Sequence, residues 1–250
     1  MNEACIHVDW GIDGLRYALE YKHIVIIVDT LRFSSAVVTA VANGFTVYPT
    51  GDPQKGVGMA PYLGAEVAGH APGSRYSLSP RDYLKGPPDA NKKVVLVSPN
   101  GAACAEIIDT GDTAYIGCLL NARSVGDHVS REARDTGQNV TVIAAGEQRA
   151  IDTGERIVYD RKAAQRVFAV EDYLAAGACI SFSSLKRTPE AEVCAMAFTA
   201  ACTKMDILLR ESFSGQYLAE HDLSEDIAHA AQLNKYTVVP RVENGEITAV

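Results

Sequence analysis

Residues 23–44 read HIVIIVDTLRFSSAVVTAVANG, and this stretch decides how the rest of the chain is interpreted. The five apolar residues Ile24–Val28 are rich in β-branched side chains and stop abruptly at Asp29, which is typical of a strand buried on both faces. Ser34 is suited to cap a following helix, whose apolar residues recur at spacings of three and four until Gly44. The stretch therefore predicts a strand, a short polar turn and a helix.

Asp29 and Arg32 share the turn of this unit. In open α/β sheets, ligands bind outside the carboxyl ends of the strands, where helix N-termini also point, so both residues occupy a position that favours chemistry. An alternative stays open, because the carboxylate and the guanidinium could simply pair with each other or satisfy loop amides.

Composition limits the class of protein. The chain has 250 residues, of which 47% are hydrophobic, and this predicts a single α/β domain over residues 1–250 with a point of subdivision near residues 145–170. A formal net charge of −8 without a basic run argues against nucleic acid or a membrane as partner and favours a small molecule. An acidic N-terminus, six cysteines without a Cys-x-x-Cys pair and no long apolar run predict a cytoplasmic protein with reduced thiols.

Strand and helix patterns alternate through the first two thirds of the chain. Predicted strands cover residues 45–49, 93–97, 113–116 and 140–144, and this order indicates a mostly parallel sheet flanked by helices in three layers. A Gly/Pro-rich region, residues 51–88, interrupts the alternation and is predicted to form an active-site loop. Polar side chains follow four of the strands, at Asp29, Asn100, Asn121 and Glu147.

The last third is predicted to be mostly helical. Helices are expected over residues 169–179 and 189–210, and residues 236–240 are expected to form an edge strand because they end in proline. The acids Glu171 and Asp172 are candidate site residues. They can equally be the acidic residues that the dipole favours at a helix N-terminus.

The common nucleotide and zinc motifs do not occur in the sequence. There is no Gly-x-x-x-x-Gly-Lys-Ser/Thr loop, no Gly-x-Gly-x-x-Gly after a strand and no His-Glu-x-x-His. The residues after the central strand, Asp29-Thr30-Leu31, also lack the Asp-x-Asp pattern of haloacid-dehalogenase-type phosphatases. A phosphatase built on this chain would therefore use other parts.

Short motifs recur in a fixed order along the chain. They are Asp29-Thr30-Leu31-Arg32, residues 40–44, Ser79-Pro80-Arg81, Asn100-Gly101, Asn121-Ala122, Ala145-Gly146, Glu171-Asp172, Ala176-Gly177, Ser214-Gly215, Glu225-Asp226 and Val239-Pro240. This ordered set resembles the 2-phosphosulfolactate phosphatase family over roughly residues 24–240. The resemblance implies an α/β fold peculiar to that family, dependence on magnesium, and action on a phosphorylated sulfonate in the route to coenzyme M.

Site residues follow as a hypothesis about phosphomonoester hydrolysis. Few carboxylates are needed to hold Mg²⁺, which keeps water ligands, and arginines would clamp the phosphate or sulfonate oxygens. Whether Asp29 is a metal ligand or a covalent nucleophile is left open. The predicted catalytic residues are Asp29, Arg32, Arg81 and Asn100; the predicted substrate-binding residues are Ser79, Gly101, Asn121 and Ser214; the candidate metal ligands are Asp29, Glu66, Glu171, Asp172 and Asp226.

Three elements depart from the family's pattern. Leu78 stands where the family has Asn, residues 98–102 read Ser-Pro-Asn-Gly-Ala in place of Thr-Thr-Asn-Gly-Thr, and Ala65-Glu66-Val67 replaces Gly-Glu-Arg. Two alternatives therefore remain, namely a non-catalytic protein that binds phosphate or sulfonate esters and a phosphatase for another phosphorylated hydroxy acid. A homodimer through the helix at residues 189–210 is a further expectation.

Overall fold

The structure is a computed structural model that describes residues 3–68, 74–86, 92–148, 150–152, 157–159 and 166–250. Its strands are β1 Cys5–Trp10, β2 Ile24–Val28, β3 Thr46–Thr50, β4 Glu66–Ala68, β5 Lys93–Val97, β6 Ala114–Ile116, β7 Val140–Ala144, β8 Glu147–Gln148, β9 Ala150–Asp152, β10 Ile157–Tyr159, β11 Arg166–Val167, β12 Lys186–Arg187, β13 Pro240–Glu243 and β14 Glu246–Ala249. Its α-helices are α1 Gly11–Glu20, α2 Phe33–Ala42, α3 Pro53–Leu63, α4 Gly101–Glu106, α5 Ala122–Thr136, α6 Val170–Ser181, α7 Pro189–Ala201, α8 Met205–Glu211, α9 Phe213–Glu220 and α10 Ser224–Ala230.

Ten of the described strands form one sheet in the order β12-β1-β7-β2-β6-β13-β14-β3-β5-β4. The first five are parallel to one another, and so are the last three. The hairpin β13–β14 joins these two groups through three successive antiparallel pairings, so the groups run in opposite directions. The predicted α/β class with a mostly parallel sheet and flanking helices is confirmed.

The predicted edge strand at residues 236–240 is wrong. Pro240 is instead the first residue of β13, which lies in the interior of the sheet between β6 and β14. A proline at the first position of a strand is tolerated because its missing N–H falls where the ladder begins.

Strand β2 is buried on both faces, as its composition predicts. Ile24, Ile26 and Val28 belong to one hydrophobic core, whereas Val25 and Ile27 belong to the other. Helices α5, α6 and α7 contribute to the first core, and α1, α2 and α4 contribute to the second. The strand that leads into Asp29 is therefore fixed by packing from both sides, which gives the residues after it a rigid base.

The turn between β2 and α2 differs from the prediction in one respect. Arg32, not Ser34, occupies the N-cap position of α2. The Ser34 hydroxyl accepts a hydrogen bond of 2.8 Å from the N–H of Asp29, and the Ser34 N–H donates to the carbonyl oxygen of Asp29 over 2.7 Å. Ser34 thus ties the helix start to the strand end, which is the kind of local bond that serine forms in turns.

The Gly/Pro-rich region is more regular than predicted. It contains α3, β4 and a 3₁₀ turn, Pro80–Tyr83, that packs against α2 and α10. Residues 69–73 and 87–88 of that predicted loop lie outside the described residues, as do residues 149, 153–156 and 160–165 of the predicted subdivision. Within the described part of the chain, no helix has the length and apolar character needed to cross a lipid bilayer.

The single helix predicted for residues 189–210 is divided in two. Helix α7 ends at Ala201, a 3₁₀ turn follows at Cys202–Lys204, and α8 begins at Met205. The Ala- and Cys-rich face of α7 packs inside the protein against α6. The homodimer expected from this segment stays a prediction.

We expect Gly177→Ala to destabilise the protein by about 1–3 kcal/mol, because added volume in a packed core is costly. A Cβ at Gly177 would lie 2.3 Å from the carbonyl oxygen of Cys194 on α7. Gly58→Ala is the matched control, since Gly58 has nothing within 4 Å of such a Cβ. Helix propensity alone should make that variant more stable by up to about 1 kcal/mol. Urea unfolding of both variants checks the prediction, and equal stability changes would contradict it.

Candidate active site

Asp29 lies at the carboxyl end of β2, and its carboxylate is buried. Its Oδ2 atom accepts a hydrogen bond of 2.6 Å from the N–H of Gly101 and one of 3.4 Å from the Ser98 hydroxyl. Only glycine fits at 101, because a Cβ there would approach the Asp29 side chain to 2.7 Å and the Phe33 ring to 2.4 Å. The loop after β5 is thereby held against the end of β2.

Asp172 connects two other loops to the same place. It lies in the first turn of α6, and its two carboxylate oxygens accept hydrogen bonds from the N–H groups of Thr30 and Gly146, at 2.7 and 3.0 Å. The Thr30 hydroxyl adds a bond of 3.1 Å to the carbonyl oxygen of Glu171. Because both oxygens of Asp172 are used, its main role is to hold the loops after β2 and β7 together.

Glu147 completes the group, and the predicted site set missed it. It follows β7 through Gly146, which has a φ of 70°. Its Oε1 atom accepts 2.6 Å from the side-chain amide of Asn100, and its Oε2 atom accepts 3.3 Å from the hydroxyl of Ser214. Its position directly after a buried strand is the sequence signal that could have included it.

We call Asp29, Glu147, Glu171 and Asp172 the carboxylate cluster. Burial, followed by the charge of Glu147, raises the pKa of Asp29 to about 7, against the opposing N–H bonds from Gly101 and Phe33. Burial, followed by the charge of Asp29, raises the pKa of Asp172 well above its usual value. Burial also raises the pKa of Glu171, although the hydroxyl of Ser214 opposes the shift. Ionising all of these carboxyl groups at once is thus unfavourable, so this place favours a bound proton or cation.

A cavity of about 260 Å³ opens beside the carboxylate cluster. Glu147, Glu171 and Ser214 form its polar side, and Phe168 and Phe213 are among the apolar residues that form the rest. Three larger depressions of the described surface, of about 320, 360 and 630 Å³, contain no member of the cluster. A pocket with a few convergent polar groups and perturbed carboxylates is the usual signature of an active site.

Arg32 lies beside the cluster in a separate group of polar residues. Its Nη1 atom donates a hydrogen bond of 2.7 Å to Oδ2 of Asp226, and the Ser79 hydroxyl donates one of 2.5 Å to Oδ1. The peptide bond between Leu31 and Arg32 is cis. Asp226 is a candidate metal ligand, and in the structure its two oxygens accept these bonds from Arg32 and Ser79; its role as a metal ligand stays a prediction.

Arg81 is farther out than predicted. Its guanidinium forms an ion pair with Glu225, and both side chains are largely exposed, at 51% and 68%. Exposed ion pairs of this kind contribute little to stability because water and salt screen them. The two predicted arginine clamps therefore occupy different environments.

Glu66 does not join the carboxylate cluster. It begins β4 at the edge of the sheet and lies in register with Val94, near the amino end of β5. Its carboxylate forms an ion pair with Lys92. Because Asn100 and Gly101 follow the opposite end of β5, the structure does not bring Glu66 together with them, and its role as a metal ligand stays a prediction.

The side chain of Asn121, a predicted substrate-binding residue, forms hydrogen bonds with three backbone groups. Its side-chain oxygen accepts 3.0 Å from the N–H of Cys118, and its amide nitrogen donates to the carbonyl oxygens of Ile116 and Val238 at 3.1 and 3.2 Å. These bonds use both amide hydrogens, and the side chain is completely buried. Asn121 thereby fixes the turn after β6.

A metal ion at this place would be held by one or two members of the carboxylate cluster. Among the described residues, no three Asp, Glu, His or Cys side chains are arranged so that they could hold one together. Mg²⁺ is often bound by one or two carboxylates while water fills its other positions. Glu147 and Glu171, which both line the cavity, meet that smaller requirement, and the predicted Mg²⁺ stays a prediction.

The fold and site define an α/β protein whose polar centre is a carboxylate cluster at strand ends, with an arginine beside it. The model of the 2-phosphosulpholactate phosphatase family matches residues 13–245, so the chain belongs to that family. This confirms the resemblance that the ordered motifs indicate.

Three relatives agree with this assignment, and each is named "Probable 2-phosphosulfolactate phosphatase". The protein of Pseudothermotoga lettingae is 28% identical over 88% of this chain and 89% of its own length. Those of Symbiobacterium thermophilum and Carboxydothermus hydrogenoformans are each 26% identical, over 90% and 92% of this chain and 93% and 92% of their own. The similarity thus spans nearly the whole protein in each case.

Proposed function

We propose that the protein is a magnesium-dependent phosphatase that hydrolyses the phosphate monoester of a small acidic hydroxy acid, with 2-phosphosulfolactate as the first candidate. The observation that carries the proposal is the family match over residues 13–245, together with a buried carboxylate cluster beside a cavity. The cytoplasmic location and the place in the route to coenzyme M that the sequence predicts belong to the same proposal.

The carboxylate cluster supports the magnesium part of the proposal. The charge of Glu147 raises the pKa of Asp29, and the charge of Asp29 raises the pKa of Asp172, so a divalent cation would relieve this repulsion and find oxygen ligands of the type that Mg²⁺ prefers. Glu147 and Glu171 would hold the ion from the cavity side, with Asp29 directly or through water. When bound, Mg²⁺ supplies positive charge that stabilises the negative charge on a transferring phosphoryl group.

The other residues of the site would bind and orient the substrate. Arg32 would bind phosphate or sulfonate oxygens, and an arginine about 4 Å from such an oxygen contributes about 4 kcal/mol at an effective dielectric constant of 20. Distant surface acids are screened over about 8 Å at physiological salt, so the net charge of −8 does not prevent anion binding. Asn100 holds the carboxylate of Glu147 in place. That carboxylate would orient an attacking water.

The test is phosphate release from 2-phosphosulfolactate, p-nitrophenyl phosphate and a panel of phosphorylated hydroxy acids, with Mg²⁺ and with EDTA. We expect release that requires Mg²⁺ and is fastest with 2-phosphosulfolactate. A faster rate with another hydroxy acid would keep the reaction and change the substrate. Anion binding without release from any ester would overturn the phosphatase and favour the non-catalytic alternative.

A matched pair of variants tests the site at the same time. Glu147→Gln should lower kcat/KM by about 10²-fold or more, because it removes a charge from the carboxylate cluster. Glu66→Gln should leave kcat/KM within about twofold. Glu66 and its partner Lys92 lie near the amino end of β5, whereas Asn100, which contacts Glu147, follows the carboxyl end. Equal losses in the two variants would show that Glu66 is as important to the site as Glu147.

A further inference from the structure

We infer that Asp226 is a positioning residue, which holds the Arg32 guanidinium ready to bind the anionic group of the substrate, and that Ser79 holds Asp226 in turn. The inference rests on the proposed function, since it names how one binding group of that site is prepared. Three separate elements meet in this arrangement. They are the turn before α2, the 3₁₀ turn Pro80–Tyr83 and the first turn of α10.

Each carboxylate oxygen of Asp226 accepts a hydrogen bond from a different residue. Oδ2 accepts a hydrogen bond from Nη1 of Arg32, and Oδ1 accepts one from the hydroxyl of Ser79. These two bonds hold the carboxylate in one orientation. Arg32 uses one guanidinium nitrogen in this pair. Within the described residues, its remaining N–H groups make no hydrogen bond and are not closed off from solvent. They are available to an anion.

Burial separates this ion pair from the neighbouring one. The side chain of Asp226 is 1% exposed and that of Arg32 18%, whereas the adjacent pair of Glu225 and Arg81 is mostly exposed. In a low-dielectric setting an ion pair with good geometry is strong, and removal of one partner leaves the other buried and uncompensated. Asp226 therefore fixes Arg32, while Glu225 has much less hold on Arg81.

Fixing the arginine in advance favours anion binding. A free arginine side chain has many rotamers, and restricting them when the ligand arrives weakens binding. Arg32 is already restricted by Asp226 and lies three residues after Asp29, so the anion site and the carboxylate cluster are held in one geometry. A purely structural ion pair would also connect the three elements, but it would not affect the affinity for an anion through Arg32.

The experiment measures the binding of inorganic phosphate by calorimetry and its inhibition constant in turnover, using the full-length protein. Asp226→Ala should weaken phosphate binding and raise KM by about 10- to 100-fold, the range for a lost charge-assisted hydrogen bond. Asp226→Asn should stay within about threefold, because its amide oxygen can still accept from Arg32 and the Ser79 hydroxyl can accept from its nitrogen. Arg32→Ala should weaken binding as much as Asp226→Ala.

A double-mutant cycle decides whether Asp226 acts through Arg32. The double variant should bind phosphate no more weakly than Arg32→Ala alone, since residues that act as one unit are not additive. Additive losses would overturn the inference, as would unchanged phosphate affinity in a folded Asp226→Ala variant. If that variant does not fold, the same cycle with Ser79→Ala decides by the same criterion.

Glu225→Gln is the matched control, one residue away on the same helix, and should change the phosphate affinity by less than about twofold. The failure of the inference is distinguishable from that of the proposed function. Phosphate binding that depends on Asp226, without turnover, would keep the inference and reject the phosphatase. Turnover with phosphate affinity unaffected by Asp226→Ala would do the reverse, and a wild-type protein that binds no phosphate would overturn the inference.

Discussion

Asp29→Asn is expected to lower kcat/KM for phosphoester hydrolysis by about 10²–10³-fold, the scale on which a preorganised electrostatic contribution is lost. The substitution removes the charge that Asp29 contributes to the carboxylate cluster. It keeps the local structure, because the asparagine oxygen can accept the hydrogen bond from the N–H of Gly101. The loss should therefore appear in turnover and not in folding.

The measurement combines steady-state kinetics at saturating Mg²⁺ with thermal unfolding of the same samples. Asp13→Asn serves as the control, since Asp13 is fully exposed on α1 and pairs only loosely with Arg16. We expect it to retain the wild-type rate. Rates near normal in a folded Asp29→Asn variant would show that Asp29 has no part in the metal site or in catalysis.

The second large effect concerns pH and the protein without divalent cations. The pKa of Asp29 is about 7 in the folded state and near 3.8 in the unfolded chain, so between these values the folded state binds more protons. Stability contributed by such a group is present at low pH and is lost as the pH rises through that window. Asp29→Asn has no such group, so its stability relative to the wild type should rise between about pH 4 and pH 7.

Comparing the wild type with Asp29→Asn cancels contributions to the pH dependence of stability that both proteins share and that have the opposite sign. Burial lowers the pKa of His229 to about 4, so this group adds stability as the pH rises, in both proteins alike. The check is denaturant unfolding in EDTA at several pH values, and Mg²⁺ should recover the stability of the wild type at the high end. A stability difference independent of pH would contradict the raised pKa of Asp29.

Local sequence pattern predicts the centre of this fold well. The apolar run of β2 and the polar residue after it lie within a few consecutive positions of the sequence. Ile24–Val28 pack into both hydrophobic cores, as a strand buried on both faces must. Asn100 and Ser214 also reach the predicted site, because each follows a recognisable strand end or helix start. These features depend on neighbours in sequence, which a single chain displays directly.

The positions of other predicted residues depend on contacts between distant parts of the chain. Glu66 is a candidate metal ligand by sequence, but its position is set by the register of β4 on β5. Asp226 and Asn121 are polar residues whose bonds are completed by partners more than 100 positions away. A pattern of charges cannot show which carboxylate already has a cation, so sequence alone could not separate these roles.

The hairpin β13–β14 has a consequence for the order of events during protein synthesis. Residues 240–249 are the bridge between β6 and β3, and in the described part of the sheet those two strands have no direct pairing. On the ribosome, the two parallel groups can each begin to form, but their facing edges stay unpaired until these late residues emerge. Unpaired strand edges are sites of aggregation, so we expect the facing edges of β6 and β3 to be the places where the nascent chain is exposed longest to wrong pairing.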